Sequence, residues 1–197
     1  LERTKNPILL AQALLGSEFA LLAGDGADAY AAKLGLMQVE PEYFVTARAR
    51  ERLAKFLNNP EGLHTGTVGA VAVDALGQCA AATSTGQIHG RIGDTPLPGA
   101  GTYASSWGAA SGTGEGEYFM RTLAAYEAVQ QARNASAQAG AEHAVQLVEL
   151  LGGSGGIIVV GADGGFGLHT NTPQMAWAHV GEDGGEAGVQ VPSPCDG

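Results

Sequence analysis

The chain has 197 residues and a mass of 19.9 kDa, enough for one domain with a buried core. Its net charge of −10 repels nucleic-acid backbones and anionic membrane surfaces, so neither is expected as a partner. No apolar run has the length of a membrane span, and the first residues lack the pattern of a secretion signal. We therefore expect a soluble protein of the cytoplasm.

The first third of the chain is predicted to be mainly helical. Apolar spacing and turn residues predict helices over residues 5–15, 27–33 and 47–57, with Asp25 as the N-cap of the second. Residues 19–23 are apolar and predict a short strand. A polar, proline- and glycine-containing connector follows up to Gly66.

At Thr67 the sequence changes to alternating, β-branched apolar residues. Residues 67–74 and 78–84 predict two strands joined as a hairpin. Both are apolar on both faces, which is typical of a sheet covered by helices on either side.

The remaining elements are predicted in blocks of strands, helices and strands. They are strands over 99–104 and 108–111, helices over 118–139 and, after Gly140, 141–151, strands over 157–160 and 166–169, and a loose tail beyond 181. This order favours an α+β protein with antiparallel sheets and helices packed outside.

The bond between Gly66 and Thr67 joins the predicted mobile connector to the predicted buried strand. A threonine with a free α-amine carries a general base next to its own hydroxyl, which activates the hydroxyl as a nucleophile. The sequence therefore predicts self-cleavage at Gly66–Thr67, which would release Thr67 as a nucleophile.

The glycine-rich segment 112–117 precedes a predicted helix. It has no Lys-Ser/Thr pair for a phosphate loop and no βαβ unit for a dinucleotide. Its backbone N–H groups, with the Thr113 hydroxyl, are suited to a developing oxyanion.

Arg91 and Asp94 are charged residues in a loop with few other charges. A cation and an anion three residues apart can hold the carboxylate and ammonium groups of one amino acid, although an ordinary loop salt bridge is equally compatible. The five histidines have no metal-ligand spacing, so no metal site is predicted.

Several segments together resemble the plant-type asparaginase/isoaspartyl peptidase family of N-terminal nucleophile hydrolases. The resemblance extends from about Thr4 to Ala178, and the matching segments are 66–72, 82–86, 90–104, 113–117, 151–156 and 171–175.

This resemblance implies a four-layer αββα sandwich that is made as a precursor. Cleavage before Thr67 would divide one structural domain into an α chain, residues 1–66 here, and a β chain, residues 67–197, often assembled as a dimer of such pairs. The implied activity is release of ammonia from L-asparagine or cleavage of β-aspartyl (isoaspartyl) dipeptides through a β-aspartyl-threonine ester, a threonine-protease type of chemistry. No cofactor is implied. The family often binds a structural sodium ion, but its sodium loop has no counterpart in this sequence.

The resemblance also implies a role for each matching residue. Thr67 is the nucleophile, Thr85 positions and activates it, Thr113 and Gly114 form the oxyanion hole, and Arg91, Asp94 and Gly116 bind the aspartyl part of the substrate.

Two departures from the family pattern bear on function. The loop between Thr85 and Arg91 is several residues shorter than usual, and the usual N-terminal part of the α chain has no counterpart. We expect either a shortened member or a piece of a longer chain. The alternative functions are a glycosylasparaginase-like hydrolase and a truncated, non-catalytic amino-acid-binding remnant.

Overall fold

The computed structural model describes residues 1–58, 66–86, 93–181 and 183–190. Contacts divide the chain into two compact units, Leu1–His64 and Thr65–Gly197. The described residues form six α-helices and eight strands, and every pair of neighbouring strands is antiparallel. The predicted α+β class is confirmed. Within the described residues, no helix is both long and apolar enough to cross a membrane.

The first unit consists of short helices around a small core. The helices are α1 (Pro7–Leu14), α2 (Gly24–Lys33) and α3 (Ala47–Asn58), with a 3-10 turn at Pro41–Phe44. The core side chains are Leu10, Ala27 and Ala31, with Leu22, Tyr30 and Leu36 packed around them.

A buried carboxylate holds the first residues of this unit in place. Asp28, on α2, accepts hydrogen bonds from the backbone N–H groups of residues 2–4 and from the Thr4 hydroxyl, the last at 2.6 Å. Burial acts to raise the pKa of Asp28, but these donors outweigh burial and lower the pKa to about 2. The carboxylate therefore stays ionised and ties the start of the chain to α2.

The predicted strand over 19–23 is wrong. The Phe19 ring packs edge-on against Tyr30, with 5.4 Å between ring centroids, so this apolar segment contacts α2 through side chains instead of pairing its backbone. Asp25 is also not the N-cap, because α2 already begins at Gly24 and places Asp25 in its first turn.

The second unit contains three antiparallel sheets. A two-stranded sheet comprises β1 (Thr67–Val73) and β2 (Cys79–Thr85). A four-stranded sheet has the order β3 (Thr102–Ser105), β4 (Gly108–Gly114), β5 (Gly155–Gly161) and β6 (Phe166–Thr170). The third comprises β7 (Met175–Gly181) and β8 (Gly184–Gln190). The predicted loose tail is wrong over Gly184–Gln190, where backbone pairing with β7 orders the glycines, and its last part, 191–197, lies outside the described residues.

The helices of this unit are α4 (Gly116–Thr122), α5 (Ala124–Asn134) and α6 (Ala137–Leu150). The predicted single helix over 118–139 is therefore divided. Leu123 takes a left-handed conformation with φ of 51°, and the Ser136 hydroxyl caps α6 by accepting from the Ala139 N–H. Gly140 lies inside α6 instead of interrupting it. A Cβ there would collide with the Ala128 carbonyl, so glycine lets α5 and α6 pack closely.

Successive side chains of β4 point to opposite faces of the four-stranded sheet, and they show that the second unit contains three layers. Ala110 faces the helices and belongs to the core formed with α5 and α6. Ser111 faces the opposite way, towards β1, where a Cβ on Gly69 would collide with its Oγ. The β1–β2 hairpin, the four-stranded sheet and the α5–α6 pair therefore stack as layers, and this ββα order accounts for three of the four layers expected from the sequence.

Candidate active site

The Thr67 side chain lies at the very start of β1. Thr67 is the Cα partner of Thr85, the last residue of β2, and the two Oγ1 atoms are 3.1 Å apart, at hydrogen-bonding distance. Both side chains are partly buried. The hairpin register thus brings together two of the sequence-predicted site residues.

Gly66 precedes Thr67 and is exposed, and nothing lies within 4 Å of where its Cβ would be. The rest of the predicted connector, residues 59–65, lies outside the described residues. Because Gly66 and Thr67 are joined by a peptide bond, the Thr67 nitrogen is an amide in this form of the chain and cannot yet act as a base.

The predicted oxyanion residues end the central strand β4. Thr113 and Gly114 are the Cα partners of Gly156 and Gly155 on β5. Gly114 has φ of +136°, and a Cβ there would come within 2.5 Å of the Ser154 carbonyl oxygen. Glycine is required at this position for conformation and for space.

Side chains hold the backbone around this strand end. Glu115 Oε2 accepts from the Ser154 N–H at 2.8 Å and from the Ser154 hydroxyl at 3.0 Å. Asn171 Oδ1 accepts from the Gly155 N–H at 2.7 Å, while its amide donates to the Gly153 carbonyl at 3.1 Å. Such fixed backbone groups are what a preorganised oxyanion site requires.

The Asp94 carboxylate lies between two glycines. A Cβ on Gly116 would collide with Asp94 Oδ1, and a Cβ on Gly101 would collide with Oδ2. Gly116 is the first residue of α4, two positions beyond Gly114, so the structure places Asp94 beside the segment that follows the predicted oxyanion residues.

Arg91 and the shortened loop over 87–92 lie outside the described residues. The proposed pairing of Arg91 with Asp94 around a substrate therefore stays a prediction. No cluster of three or more His, Cys, Asp or Glu side chains suited to a metal ion is found among the residues that the structure describes.

The direction of the hairpin brings the threonine pair and Thr113 to the same end of the two stacked sheets. Gly77, in the hairpin turn, lies against the Ala162 carbonyl just beyond β5, with 3.4 Å from its Cβ position. Because β4 is antiparallel to β5, that contact marks the end where β4 begins. The opposite end of the hairpin, at Thr67 and Thr85, therefore lies towards Thr113.

Residues that lie in the matching segments or beside them, but to which the sequence analysis assigned no role, complete the region. Gly101 makes room for Asp94, and Asn171 holds Gly155. Thr83, Ser111 and Thr102 form a hydroxyl cluster between the hairpin and the four-stranded sheet. The two-residue spacing from Thr83 to Thr85 and from Ser111 to Thr113 was a sequence signal for shared faces, but pairing across layers cannot be deduced from spacing.

An antiparallel α+β fold with threonine at the start of its first β-hairpin fits the fold of the N-terminal nucleophile hydrolases. The sequence model of the asparaginase family matches residues 1–189. The chain therefore belongs to this family.

The chain is similar to curated proteins that are named isoaspartyl peptidase or isoaspartyl peptidase/L-asparaginase. The chain is 39% identical over 201 residues to "Isoaspartyl peptidase" of Escherichia coli (strain K12), covering 90% of this chain and 63% of that protein. It is 38% identical over 194 residues to "Isoaspartyl peptidase/L-asparaginase" of Xenopus laevis, covering 90% and 62%. The corresponding protein of Mus musculus is 34% identical over 200 residues, covering 94% and 61%. The chain thus spans just over three fifths of the length of these relatives.

Proposed function

We propose that the protein is a self-processing amidohydrolase that releases ammonia from L-asparagine, cleaves β-aspartyl dipeptides, or does both. The observation that carries the proposal is the 3.1 Å contact between Thr67 Oγ1 and Thr85 Oγ1 at a Gly–Thr bond. Membership of the asparaginase family and the names of the relatives add to it.

Processing would begin at the intact bond. Thr67 Oγ1 attacks the Gly66 carbonyl carbon, the hydroxyl proton passes to the Thr67 nitrogen as the C–N bond breaks, and Gly66 is left esterified to the Thr67 oxygen. Water hydrolyses the ester, which frees the Gly66 carboxylate and the Thr67 α-amine. An α-amine has an ordinary pKa of about 7.7 to 8.0, so part of it is neutral near pH 7 and can accept a proton.

Hydrolysis of substrate then uses the same oxygen. The Thr67 amine takes the hydroxyl proton while Oγ1 attacks the side-chain carbonyl of the substrate. Thr113 and Gly114 would donate to the oxyanion, and the proton passes to the leaving ammonia or peptide amine. Water then cleaves the β-aspartyl ester and regenerates Thr67.

Substrate recognition would rest on the aspartyl end. In the proposal, Arg91 binds the α-carboxylate, Asp94 binds the α-ammonium group, and Gly116 leaves room for both Asp94 and the ligand. Free asparagine and a β-aspartyl dipeptide present the same groups to this clamp. The assembly into a dimer of cut α and β pairs and the cytoplasmic location stay predictions of the same proposal.

Intact mass and ammonia release test the function together. The full chain should yield two fragments, residues 1–66 and 67–197, and then release ammonia from asparagine or cleave a β-aspartyl dipeptide. Thr67→Ala should remain one chain and be inactive, because it lacks the attacking oxygen. Thr122→Ala is the matched control, since it removes a threonine hydroxyl that donates within α4 to the Tyr118 carbonyl, and it should cut and turn over normally.

Each alternative has its own outcome. An uncut wild-type chain that binds aspartate without hydrolysing any substrate would identify the non-catalytic binding remnant. Preference for a glycosylated asparagine over both proposed substrates would identify the glycosylasparaginase-like hydrolase. Ammonia release that survives Thr67→Ala would contradict the nucleophile assignment.

A further inference from the structure

Three hydroxyl groups join the two stacked sheets one pleat below the threonine pair. Thr83 Oγ1 on β2 and Ser111 Oγ on β4 are 2.6 Å apart, and Thr102 Oγ1 on β3 donates to Thr83 Oγ1 at 2.5 Å. Ser111 is only 4% exposed. Either hydroxyl of the Thr83–Ser111 pair can be the donor, and together the two contacts form one short chain of hydrogen bonds that spans the gap between the layers.

The backbone is shaped to allow this contact. Gly69 is the Cα partner of Thr83, and a Cβ on Gly69 would collide with Ser111 Oγ. Thr102 and Ser111 are themselves Cα partners on β3 and β4. The cluster therefore lies where four strands meet, with glycine on the one strand that contributes no hydroxyl.

The cluster and the proposed catalytic groups share two strands. Thr83 precedes Thr85 by two residues, and Ser111 precedes Thr113 by two, so each pair faces the same side of its strand. Two residues of a strand span roughly 7 Å. On both β2 and β4, this step from the cluster leads towards the open end of the hairpin. The Thr83–Ser111 bond thus sets how β2 lies over β4, and with it the separation between the nucleophile and the oxyanion donors.

We infer that Thr83 and Ser111 are positioning residues for the proposed reaction. They touch no reacting atom, and they act by holding the Thr67–Thr85 pair in register with Thr113. This inference rests on the proposed function. Hydrophobic packing between stacked sheets is non-directional and permits sliding, whereas a short hydrogen bond between two strands fixes one offset.

The test compares kcat, KM and the rate of cutting at Gly66–Thr67 in the full chain carrying Thr83→Val or Thr83→Ser. Thr83→Val keeps the shape but removes the hydroxyl, and should lower kcat by about 10- to 100-fold and slow cutting, with KM little changed. Thr83→Ser restores a hydroxyl and should recover most of the rate. Ser111→Ala should behave like Thr83→Val.

A control separates positioning from general stability. Ser136→Ala removes the cap of α6 in the same unit and should lower the stability of that unit, but it leaves the sheet junction intact. It should keep the wild-type kcat. If Thr83→Val keeps the wild-type kcat, or if Ser136→Ala loses as much, the inference is wrong. If the wild-type chain itself neither cuts nor hydrolyses, the proposed function fails, and the inference fails with it.

Discussion

At the scale of the residue, the most informative positions are glycines that face polar side chains of the proposed site. Gly116 and Gly101 border the two oxygens of Asp94, and Gly69 borders Ser111. In each case the missing Cβ is the space that a polar group occupies. A sequence shows that glycine is present, but not whether it serves a turn or a neighbour.

Substitution at Gly116 provides a test of the proposed substrate clamp. Gly116→Ala would push its new Cβ into Asp94 Oδ1 and displace the carboxylate from the ammonium group it is proposed to bind. Loss of one hydrogen bond to a charged group costs about 1.5 to 3 kcal/mol, so KM should rise by about 10-fold or more with a smaller change in kcat. Steady-state kinetics measure the change.

Gly26→Ala is the matched control for that substitution. Gly26 lies in α2 with nothing within 4 Å of its Cβ position, so KM should be unchanged. A wild-type KM in Gly116→Ala would remove Asp94 from the proposed clamp.

At the scale of the element, α2 is tied to the start of the chain by one carboxylate. The pKa of Asp28 is lowered to about 2, below its ordinary 3.8, so the ionised form contributes stability that is fully present above about pH 4 and is lost as the pH falls through 2. Asp28→Asn should lower the stability of the first unit by about 2 kcal/mol at pH 7. The difference from wild type should shrink between pH 4 and pH 2.

Hydrogen exchange of residues 1–58, followed by mass spectrometry over this pH range, measures the effect locally. Asp25→Asn is the control, because Asp25 is exposed in the same helix. A difference that stays constant down to pH 2 would contradict the ionised state of Asp28.

The bounds of the helices and strands also show where packing overrides the local sequence pattern. The helical spacing over 118–139 was correct, but the break came at Leu123 and Ser136 instead of at Gly140. Glycine costs only about 1 kcal/mol inside a helix, which close contact with α5 offsets. Residues 19–23 have the composition of a strand, yet they pair with no other strand among the described residues, and the Phe19 ring packs against Tyr30 of α2.

At the scale of the whole molecule, the proposed cut falls at the edge of the β1–β2 ladder. Thr67 is the first paired residue of β1, so hydrolysis of the bond before it breaks no strand pairing described in the hairpin. The cut chain and uncut Thr67→Ala should therefore unfold within about 3 °C of each other, which corresponds to about 1 kcal/mol for a chain of this size. Both tryptophans, Trp107 and Trp177, lie in the second unit, and their fluorescence reports its melting.

A processed chain that melts much lower than Thr67→Ala would contradict this expectation. It would mean that the peptide bond itself, and not strand pairing, holds the start of β1. Thr122→Ala, which is expected to cut normally, controls for the loss of a threonine hydroxyl.

The sequence by itself determined the antiparallel α+β class, the β1–β2 hairpin and the meeting of Gly66 with Thr67. These depend on local periodicity and turn chemistry, which neighbouring residues carry. The family motifs also named Thr85, Thr113 and Asp94. The sequence did not predict the pairing of β7 with β8, because glycine-rich strands have weak patterns and gain order only from a partner strand.

Only the tertiary structure decided how those residues relate in space. It placed Thr67 Oγ1 at hydrogen-bonding distance from Thr85 Oγ1, and it placed the Asp94 carboxylate between two glycines. It also joined Thr83 to Ser111, which are 28 positions apart in the sequence. Contacts of this kind depend on the offset between stacked sheets. That offset is set by packing and hydrogen bonds between distant strands, and no local pattern encodes it.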